Sequence, residues 1–193
     1  MRNTRPRRDS SVSVAWRFVA LVCAVAAVSA PVRARQSAAP LREPDVIYLP
    51  TPNEAVTAML KLANVGPGDV VYDLGSGDGR IVIEAVKQFA AARGVGIDLD
   101  SALVREATDN AERARVADRV QFLNQDLFEA DFREATVVAV YLLPWLNRQL
   151  MPKLKAELKP GTRVISYRFD MGNWKPDQSL TVNGQMIYLW RIP

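Results

Sequence analysis

The stretch VVYDLGSGDGRIVIEAV, residues 70–86, decides the fold of this chain. Its first five residues, Val70–Leu74, form a largely apolar run that is typical of a short buried strand, and from Arg80 onward the apolar residues have the spacing of a helix. The turn between them, residues 75–79, is Gly-Ser-Gly-Asp-Gly. A strand, a glycine-rich turn and a helix in this order indicate the first unit of an α/β sheet, with a nucleotide-like ligand at the turn.

The rest of the chain alternates between strands and helices. Periodicity predicts strands at 95–99, 119–123, 136–142 and 163–169, and helices at 80–91, 101–114 and 145–158. A hairpin is predicted at 179–182 and 186–192, because Asn183-Gly184 is a favoured turn between two strands. The order predicts an α/β fold, with a doubly wound, mainly parallel Rossmann-like sheet and a C-terminal antiparallel hairpin, in a single domain over residues 48–193.

One more helix is predicted at the start of this domain, after Tyr48-Leu49-Pro50. Thr51 is expected to cap it, and Pro52 suits the first helical position. Glu54 stands where a capping box requires an acidic residue.

Two carboxylates in or beside the glycine turn indicate the charge of its ligand. Asp73 lies two residues before Gly75, and Asp78 lies within the turn. Both would repel a pyrophosphate, at about 4 kcal/mol for unit charges 4 Å apart in an effective dielectric of 20. No lysine follows the turn, as a phosphate-binding loop requires. The favoured cofactor is therefore a cationic nucleoside without phosphates, S-adenosyl-L-methionine.

Two further acids follow the next two strands. Asp98 lies 19 residues beyond Gly79, where a carboxylate can accept both ribose hydroxyls; alternatively, it caps the helix that starts at Ser101. Asp126 could accept the adenine amino group, with the Leu127 backbone beside the ring; alternatively, it is a solvated loop acid. The predicted cofactor-binding residues are Asp73, Gly75, Ser76, Gly77, Gly79, Asp98, Leu99, Asp126 and Leu127.

The composition excludes several kinds of chemistry. The chain contains no histidine, and its one cysteine, Cys23, lies close to the N-terminus. Disulfides, Cys–His and Ser–His–Asp catalysis, thiolate zinc sites and iron–sulfur clusters are therefore excluded. No metal site is predicted.

Residues 1–35 form a segment distinct from the domain. They contain seven arginines, one acidic residue and the uncharged run 18–32, a pattern that predicts a secretory signal or an uncleaved membrane anchor. Residues 36–47 are interpreted as a linker. The domain is therefore expected to be exported or anchored at a membrane. Without residues 1–35 the chain has 18 basic and 20 acidic residues, a net charge of −2, so no nucleic-acid partner is predicted.

Six motifs carry a resemblance to known enzymes. DLGSGDGRI (73–81), GIDLD (96–100) and QDL (125–127) resemble the class I, seven-β-strand S-adenosylmethionine-dependent methyltransferases. YLPT (48–51), YLLP (141–144) and LKPGTRVIS (158–166) are similar to a small protein-lysine methyltransferase family. That family includes the archaeal broad-specificity enzyme and the mitochondrial enzymes acting on the ATP synthase c-subunit and the adenine nucleotide translocase. The resemblance implies N-methylation of protein lysines, with a membrane protein as one candidate substrate.

The acceptor side of the site has less distinctive residues. After the fourth strand, the chain lacks the Asn/Asp-Pro-Pro-aromatic motif of enzymes that methylate nucleobases or glutamine. A lysine that has lost its proton needs mainly alignment and exclusion of water. Tyr141 and Thr51 are the candidate catalytic residues: Tyr141 lines the lysine channel, while Thr51, Tyr48 and Trp145 form its rim. The alternative is that Tyr141 and Trp145 belong to the core and Thr51 is only a helix cap.

Two other functions stay open at this point. One is a methyltransferase for a small molecule or a lipid. The other is an exported nucleoside-binding module without turnover.

Overall fold

The computed structural model describes residues 48–193. The predicted signal or anchor at 1–35 and the linker at 36–47 lie outside the described residues. Within the described range, no helix has both the length and the apolar character needed to span a membrane.

Seven strands and four helices make up the domain. The helices are α1 (Asn53–Leu62), α2 (Arg80–Gln88), α3 (Ser101–Ala114) and α4 (Pro144–Glu157). The strands are β1 (Val70–Leu74), β2 (Arg93–Asp98), β3 (Val120–Asn124), β4 (Val137–Val140), β5 (Arg163–Tyr167), β6 (Gln178–Val182) and β7 (Gln185–Arg191). Each predicted element is present, with bounds that differ by up to three residues.

The sheet has the strand order β3-β2-β1-β4-β5-β7-β6. The first five of these strands pair in parallel, whereas β7 pairs antiparallel with both β5 and β6. The predicted doubly wound sheet with an antiparallel hairpin is confirmed. The strand order reverses between β1 and β4, and at such a switch point a crevice opens beyond the carboxyl ends of the strands.

Alternate residues of the central strands face opposite sides of the sheet. Val71 and Val137 pack against α1 and α2 in one buried cluster. Their neighbours Tyr72 and Val138 pack against α4 in the other. Each fully buried aliphatic side chain contributes about 1.5–3 kcal/mol, so both faces stabilise the sheet. Since helices pack against both faces of the sheet, the strands and their carboxyl ends are held in place.

The start of α1 differs from the prediction. The helix begins at Asn53, Pro52 occupies the capping position in an extended conformation, and no side chain caps the helix. The Thr51 cap and the Glu54 capping box are therefore wrong. Thr51 is buried and its carbonyl oxygen accepts a hydrogen bond from Arg80, which draws this residue towards the glycine turn instead of the helix end.

Two other local predictions are settled by hydrogen bonds and backbone angles. Asp100 caps α3 by accepting from the backbone amide of Ala102, so the alternative that Asp98 is the cap is wrong. In the hairpin, Asn183 and Gly184 have φ of 48° and 75°, the left-handed values that a type I′ turn requires.

Candidate active site

A pocket of about 540 Å³ lies at the switch point of the sheet. Its walls come from the carboxyl ends of β1, β2, β4 and β5 and from the segment that precedes α1. Doubly wound sheets bind their ligands in the crevice at this edge. Asp73, Gly75, Ser76, Asp98, Leu99 and Leu127 of the predicted cofactor residues line it, as do Tyr141 and Thr51.

Asp73 places a buried carboxyl group on the floor of this pocket. Only 2% of the residue is exposed. Burial raises its pKa well above the ordinary value, and the nearby charges of Asp98 and Asp78 raise it further. A cation bound in the pocket would favour the ionised form. The site is therefore suited to a positively charged ligand, as the sequence predicted from this residue.

Ser76 supplies a second polar group without an internal role. Its hydroxyl oxygen is buried and has no hydrogen-bond partner among the described residues. Buried polar atoms are almost always paired in native proteins, so the unpaired hydroxyl of this lining residue is available to a ligand that reaches it. Asp73 and Ser76 thus fit a ligand that carries both cationic and polar groups, as S-adenosylmethionine does.

Asp98 at the end of β2 organises the turn. Its Oδ2 accepts from the backbone amide of Gly77 at 2.8 Å, and its Oδ1 accepts from the amide of Asp100 at 2.9 Å. An ionised carboxylate has about four acceptor positions, so two remain for a ligand. Its place in the pocket fits the predicted contact with the ribose hydroxyls, which stays a prediction.

Asp126 lies behind the pocket wall. It is 8% exposed, and its Oδ1 accepts from the backbone amide of Phe128 at 2.9 Å. The alternative of a solvated loop acid is therefore wrong. Its neighbours Gln125 and Leu127 line the pocket, whereas Asp126 itself does not. The contact between Asp126 and adenine stays a prediction, and Gln125 is a lining residue that sequence analysis missed.

Gly77 and Gly79 belong to the turn but do not line the pocket. Gly77 has a φ of 52°, and a Cβ atom there would lie 2.2 Å from the Tyr48 ring. Gly79 has a φ of 81°, and its Cβ would lie 2.4 Å from the Phe122 ring. These two glycines therefore allow aromatic rings to approach the backbone, and the predicted direct contact with the cofactor gains no support from their positions.

Asp78, which was predicted to favour a cationic ligand, is paired with a cation of the protein itself. Its carboxylate forms a two-point ion pair with Arg80, at 2.9 Å from Nε to Oδ1 and 2.6 Å from Nη2 to Oδ2. Burial alone would raise the pKa of Asp78, but the hydrogen bonds and charge of Arg80 hold it below its ordinary value. The carboxylates expected to attract a cation are therefore Asp98 and, once a bound cation favours its ionised form, Asp73.

The acceptor end of the pocket is aromatic. Tyr141, just after β4, packs edge-to-face on Tyr167 with ring centroids 4.9 Å apart and stacks on Phe169 at 6.2 Å. The guanidinium of Arg168 lies 5.5 Å from the centre of the Phe169 ring and donates weakly to the Tyr141 hydroxyl at 3.4 Å. Arg168 and Phe169 line the pocket and were missed, although the end of the predicted fifth strand was the available signal.

The mouth of the pocket carries exposed apolar side chains. Tyr48, Leu49, Leu143 and Trp145 are the exposed large hydrophobic residues of the described range, between 37% and 63% exposed. Three of them line the pocket, and Trp145 follows Leu143 by two residues. The alternative that Trp145 belongs to the core is wrong. Thr51 is buried in the pocket wall instead of lying at the rim.

Comparisons with known proteins agree with this geometry. A model of the ANTKMT methyltransferase domain matches residues 73–178, more than half of the chain. The chain belongs to this methyltransferase family. A protein-lysine N-methyltransferase of Saccharolobus islandicus (strain REY15A) is 44% identical over 153 residues, covering 77% of this chain and 95% of that protein. The ATP synthase c-subunit lysine N-methyltransferase of Rattus norvegicus is 34% identical over 183 residues, covering 91% and 81%. The predicted family resemblance is confirmed.

Solved structures support the cofactor. An RNA methyltransferase from Salinibacter ruber, in complex with S-adenosyl-L-homocysteine, shares 54% identity with a TM-score of 0.74, covering 75% of this chain and 94% of that one. A SAM-dependent methyltransferase from Geobacter sulfurreducens, also bound to S-adenosyl-L-homocysteine, shares 28% identity with a TM-score of 0.56, covering 63% of this chain and 50% of that one. This methyltransferase therefore uses S-adenosyl-L-methionine, the methylated form of that compound, as predicted.

Proposed function

We propose that this methyltransferase modifies the side-chain nitrogen of lysine residues in proteins. The observation that carries the proposal is the cofactor pocket, which opens beside Tyr141 through an exposed apolar mouth. The relatives named as lysine N-methyltransferases support it: the archaeal one is matched over 95% of its length.

The residues of the pocket can prepare such an acceptor. Bound S-adenosylmethionine supplies an electrophilic methyl group on a cationic sulfur, so the chain must present a neutral amine to it. Arg168 lies at the acceptor end, where its positive charge disfavours a protonated lysine and promotes loss of the proton to water. The rings of Tyr141 and Phe169 wall this end of the pocket, orient the side chain and exclude water.

The shape of the mouth favours a protein over a small molecule. A small-molecule pocket encloses most of its ligand. Here Leu49 is 63% exposed and Leu143 is 39% exposed, and both line the pocket. Exposed apolar groups around a site are typical of surfaces that bind a macromolecule. A small molecule or lipid acceptor, and binding without turnover, are therefore the less favoured functions.

One observation favours a different acceptor, RNA. The Salinibacter ruber structure, 54% identical, is described as an RNA methyltransferase. Charge argues against transferring that substrate, because residues 36–193 carry a net charge of −2. Proteins that bind nucleic acids neutralise phosphates with clusters of lysine and arginine.

A direct experiment separates these acceptors. The protein is incubated with S-adenosylmethionine labelled on its methyl group and with the protein, RNA and lipid fractions of a cell lysate. We expect label in the protein fraction, with mass spectrometry locating methyl groups on lysine side chains. The Asp73→Asn variant is the control for cofactor-dependent labelling. Label confined to RNA or lipid, or methylation of glutamine or arginine without lysine, would refute the lysine proposal.

We further propose that residues 1–35 bring this methyltransferase to a membrane, either as an exported chain or by anchoring it. The support is the uncharged run 18–32 within an arginine-rich segment. A membrane protein is then an accessible substrate. The test is to express the full chain in cells. If the chain is anchored, it should stay in the membrane fraction after an alkaline wash. If it is exported, it should be found outside the cytosol in a shortened form. Full-length protein in the soluble cytosol would contradict both.

A further inference from the structure

We propose that Tyr48 retains the cofactor, and that Asp78 and Arg80 are positioning residues which fasten the segment Tyr48–Thr51 over the glycine turn. This segment forms one wall of the pocket, since all four of its residues line it. Asp78 and Arg80 line the same pocket, so the connection lies at the edge of the cofactor site.

Three contacts hold the segment in place. The Tyr48 ring lies directly on Gly77, so closely that a Cβ atom there would be 2.2 Å from a ring carbon. The Tyr48 side chain lies close enough to the Asp78 carboxylate that, after burial, the charge of Asp78 raises the pKa of Tyr48. Arg80 donates through Nη1 to the carbonyl oxygen of Thr51 at 2.9 Å. The segment thus contacts the turn at one end and the first residue of α2 at the other.

The Asp78–Arg80 pair is the centre of this connection. Arg80 binds the Asp78 carboxylate with Nε and Nη2, and these two bonds orient its third nitrogen towards Thr51. A guanidinium held at two points loses little freedom when it makes a further bond. Both side chains are partly shielded from water, at 31% exposed for Arg80 and 16% for Asp78, so the pair is stronger than an open surface pair.

The chain contains a matched pair elsewhere. Asp131 and Arg133 have the same two-residue spacing and the same two-point geometry, at 2.9 Å and 2.5 Å. This pair is 60% and 68% exposed, and neither residue lines the pocket. Substitutions in the Asp131–Arg133 pair remove the same chemical groups as substitutions in the Asp78–Arg80 pair. They affect neither the segment Tyr48–Thr51 nor a residue that lines the pocket.

The test measures cofactor exchange without any acceptor, so it can succeed or fail independently of the lysine proposal. S-adenosylhomocysteine bound to the full chain is displaced in a stopped-flow instrument, and stoichiometry is measured by calorimetry. Asp78→Asn, Arg80→Ala and Tyr48→Phe should each raise the dissociation rate about tenfold, the effect of losing one charge-assisted hydrogen bond. Asp131→Asn and Arg133→Ala should leave the dissociation rate unchanged. Arg80→Lys should raise this rate less than Arg80→Ala does.

A double-mutant cycle separates positioning from general damage. Tyr48→Phe and Asp78→Asn should be non-additive in the dissociation rate, whereas Tyr48→Phe and Asp131→Asn should be additive. Equal rates for the Asp78 and Asp131 variants would overturn the proposal, as would additivity of the first pair. A fall in stoichiometry with an unchanged rate would also overturn it, because that is the effect of partial unfolding. Tyr48→Phe and Arg80→Lys keep the test available if Asp78→Asn does not fold.

Discussion

Asp73 is expected to bind the cofactor at the expense of the stability of the ligand-free protein. Its carboxyl group is buried and has a raised pKa, caused first by burial and then by Asp98 and Asp78. Because the folded-state pKa is raised, the associated stability is fully present below the unfolded value near 3.8 and is lost as the pH rises through the folded value. The ligand-free domain should therefore carry a penalty at neutral pH.

The variant Asp73→Asn tests this conflict. It should increase the free energy of unfolding of the ligand-free protein by about 1–2 kcal/mol at pH 7, with a smaller gain at pH 4. The same change should weaken S-adenosylmethionine binding at least about tenfold, because the cation loses its partner. Denaturant unfolding at the two pH values and calorimetry measure both effects. A variant that is less stable and binds equally well would contradict the assignment.

Asp98 offers a second test at the level of one residue. Asp98→Ala removes the acceptor of the Gly77 amide and the proposed ribose contacts, so the dissociation constant should rise about ten- to hundredfold. Asp98→Asn keeps an oxygen for Gly77 and should have a smaller effect. Titration of each variant with S-adenosylmethionine measures the difference. Unchanged affinity in both variants would show that the ribose lies elsewhere.

Tyr141 is the candidate closest to the acceptor. Tyr141→Phe keeps the packing on Tyr167 and Phe169 but removes the hydroxyl that contacts Arg168. We expect kcat on a lysine-containing protein to fall about tenfold with unchanged cofactor affinity, since the hydroxyl contributes alignment only. Tyr188→Phe on β7 is the matched control, because Tyr188 does not line the pocket. Equal kcat in both variants would exclude a role for the Tyr141 hydroxyl.

Sequence patterns predicted which strand ends form the site more accurately than they predicted the contacts of individual side chains. The position of Asp73 followed from the residue order, because the carboxyl ends of parallel strands share one edge of the sheet. The pairing of Asp78 with Arg80 did not follow, since the spacing is compatible with many side-chain orientations. Arg168 was missed because its backbone bends away from the strand, with a φ of 71° that the sequence does not indicate.

Among the elements, the junction of β1 and α2 depends on three glycines with positive φ, Gly75, Gly77 and Gly79, and on ring contacts at the last two. Gly79→Ala should destabilise the domain by about 2–4 kcal/mol, because its Cβ would lie 2.4 Å from the Phe122 ring at a φ of 81°. Gly68→Ala is the matched control: its φ is 91°, but nothing lies within 4 Å. It should cost about 1 kcal/mol from backbone strain alone. Equal losses in denaturant unfolding would show that Phe122 moves aside.

The helices and strands themselves were largely predictable, since each had its period and its turn residues. The hairpin followed from Asn183-Gly184, and α3 was predicted with its observed bounds. The start of α1 was not, because a local capping pattern was outweighed by a tertiary contact, the bond from Arg80 to the Thr51 carbonyl. Local signals fail where a distant residue provides the better partner.

At the scale of the whole molecule, Arg163 connects segments that are far apart in sequence. Its Nη1 donates to the carbonyl oxygens of Ala63 and Asn64 at the end of α1, at 2.8 Å and 3.0 Å. Its Nη2 pairs with Asp69, which also accepts from the Thr136 hydroxyl at 2.7 Å. The connection joins the C-terminal end of α1 to the sheet edge opposite the pocket.

Removal of the Arg163 guanidinium tests this connection. Arg163→Met leaves Asp69, 13% exposed, without its cation, and should lower the free energy of unfolding by about 2–4 kcal/mol. Burial alone would raise the pKa of Asp69, but its hydrogen bonds and Arg163 hold it below the ordinary value. The stability it contributes is therefore present above the unfolded value near 3.8 and lost as the pH falls through the folded value.

Between pH 7 and pH 3, Arg163→Met should therefore lose less stability than the parent protein does. Adding Asp69→Asn to Arg163→Met should recover part of the unfolding free energy that Arg163→Met loses at pH 7. Denaturant unfolding between pH 3 and pH 7 measures both, with Arg133→Met as the control for removing an exposed arginine from an ion pair. If Arg163→Met and Arg133→Met cost the same, the connection does not stabilise the fold, and the position of α1 depends on its other contacts.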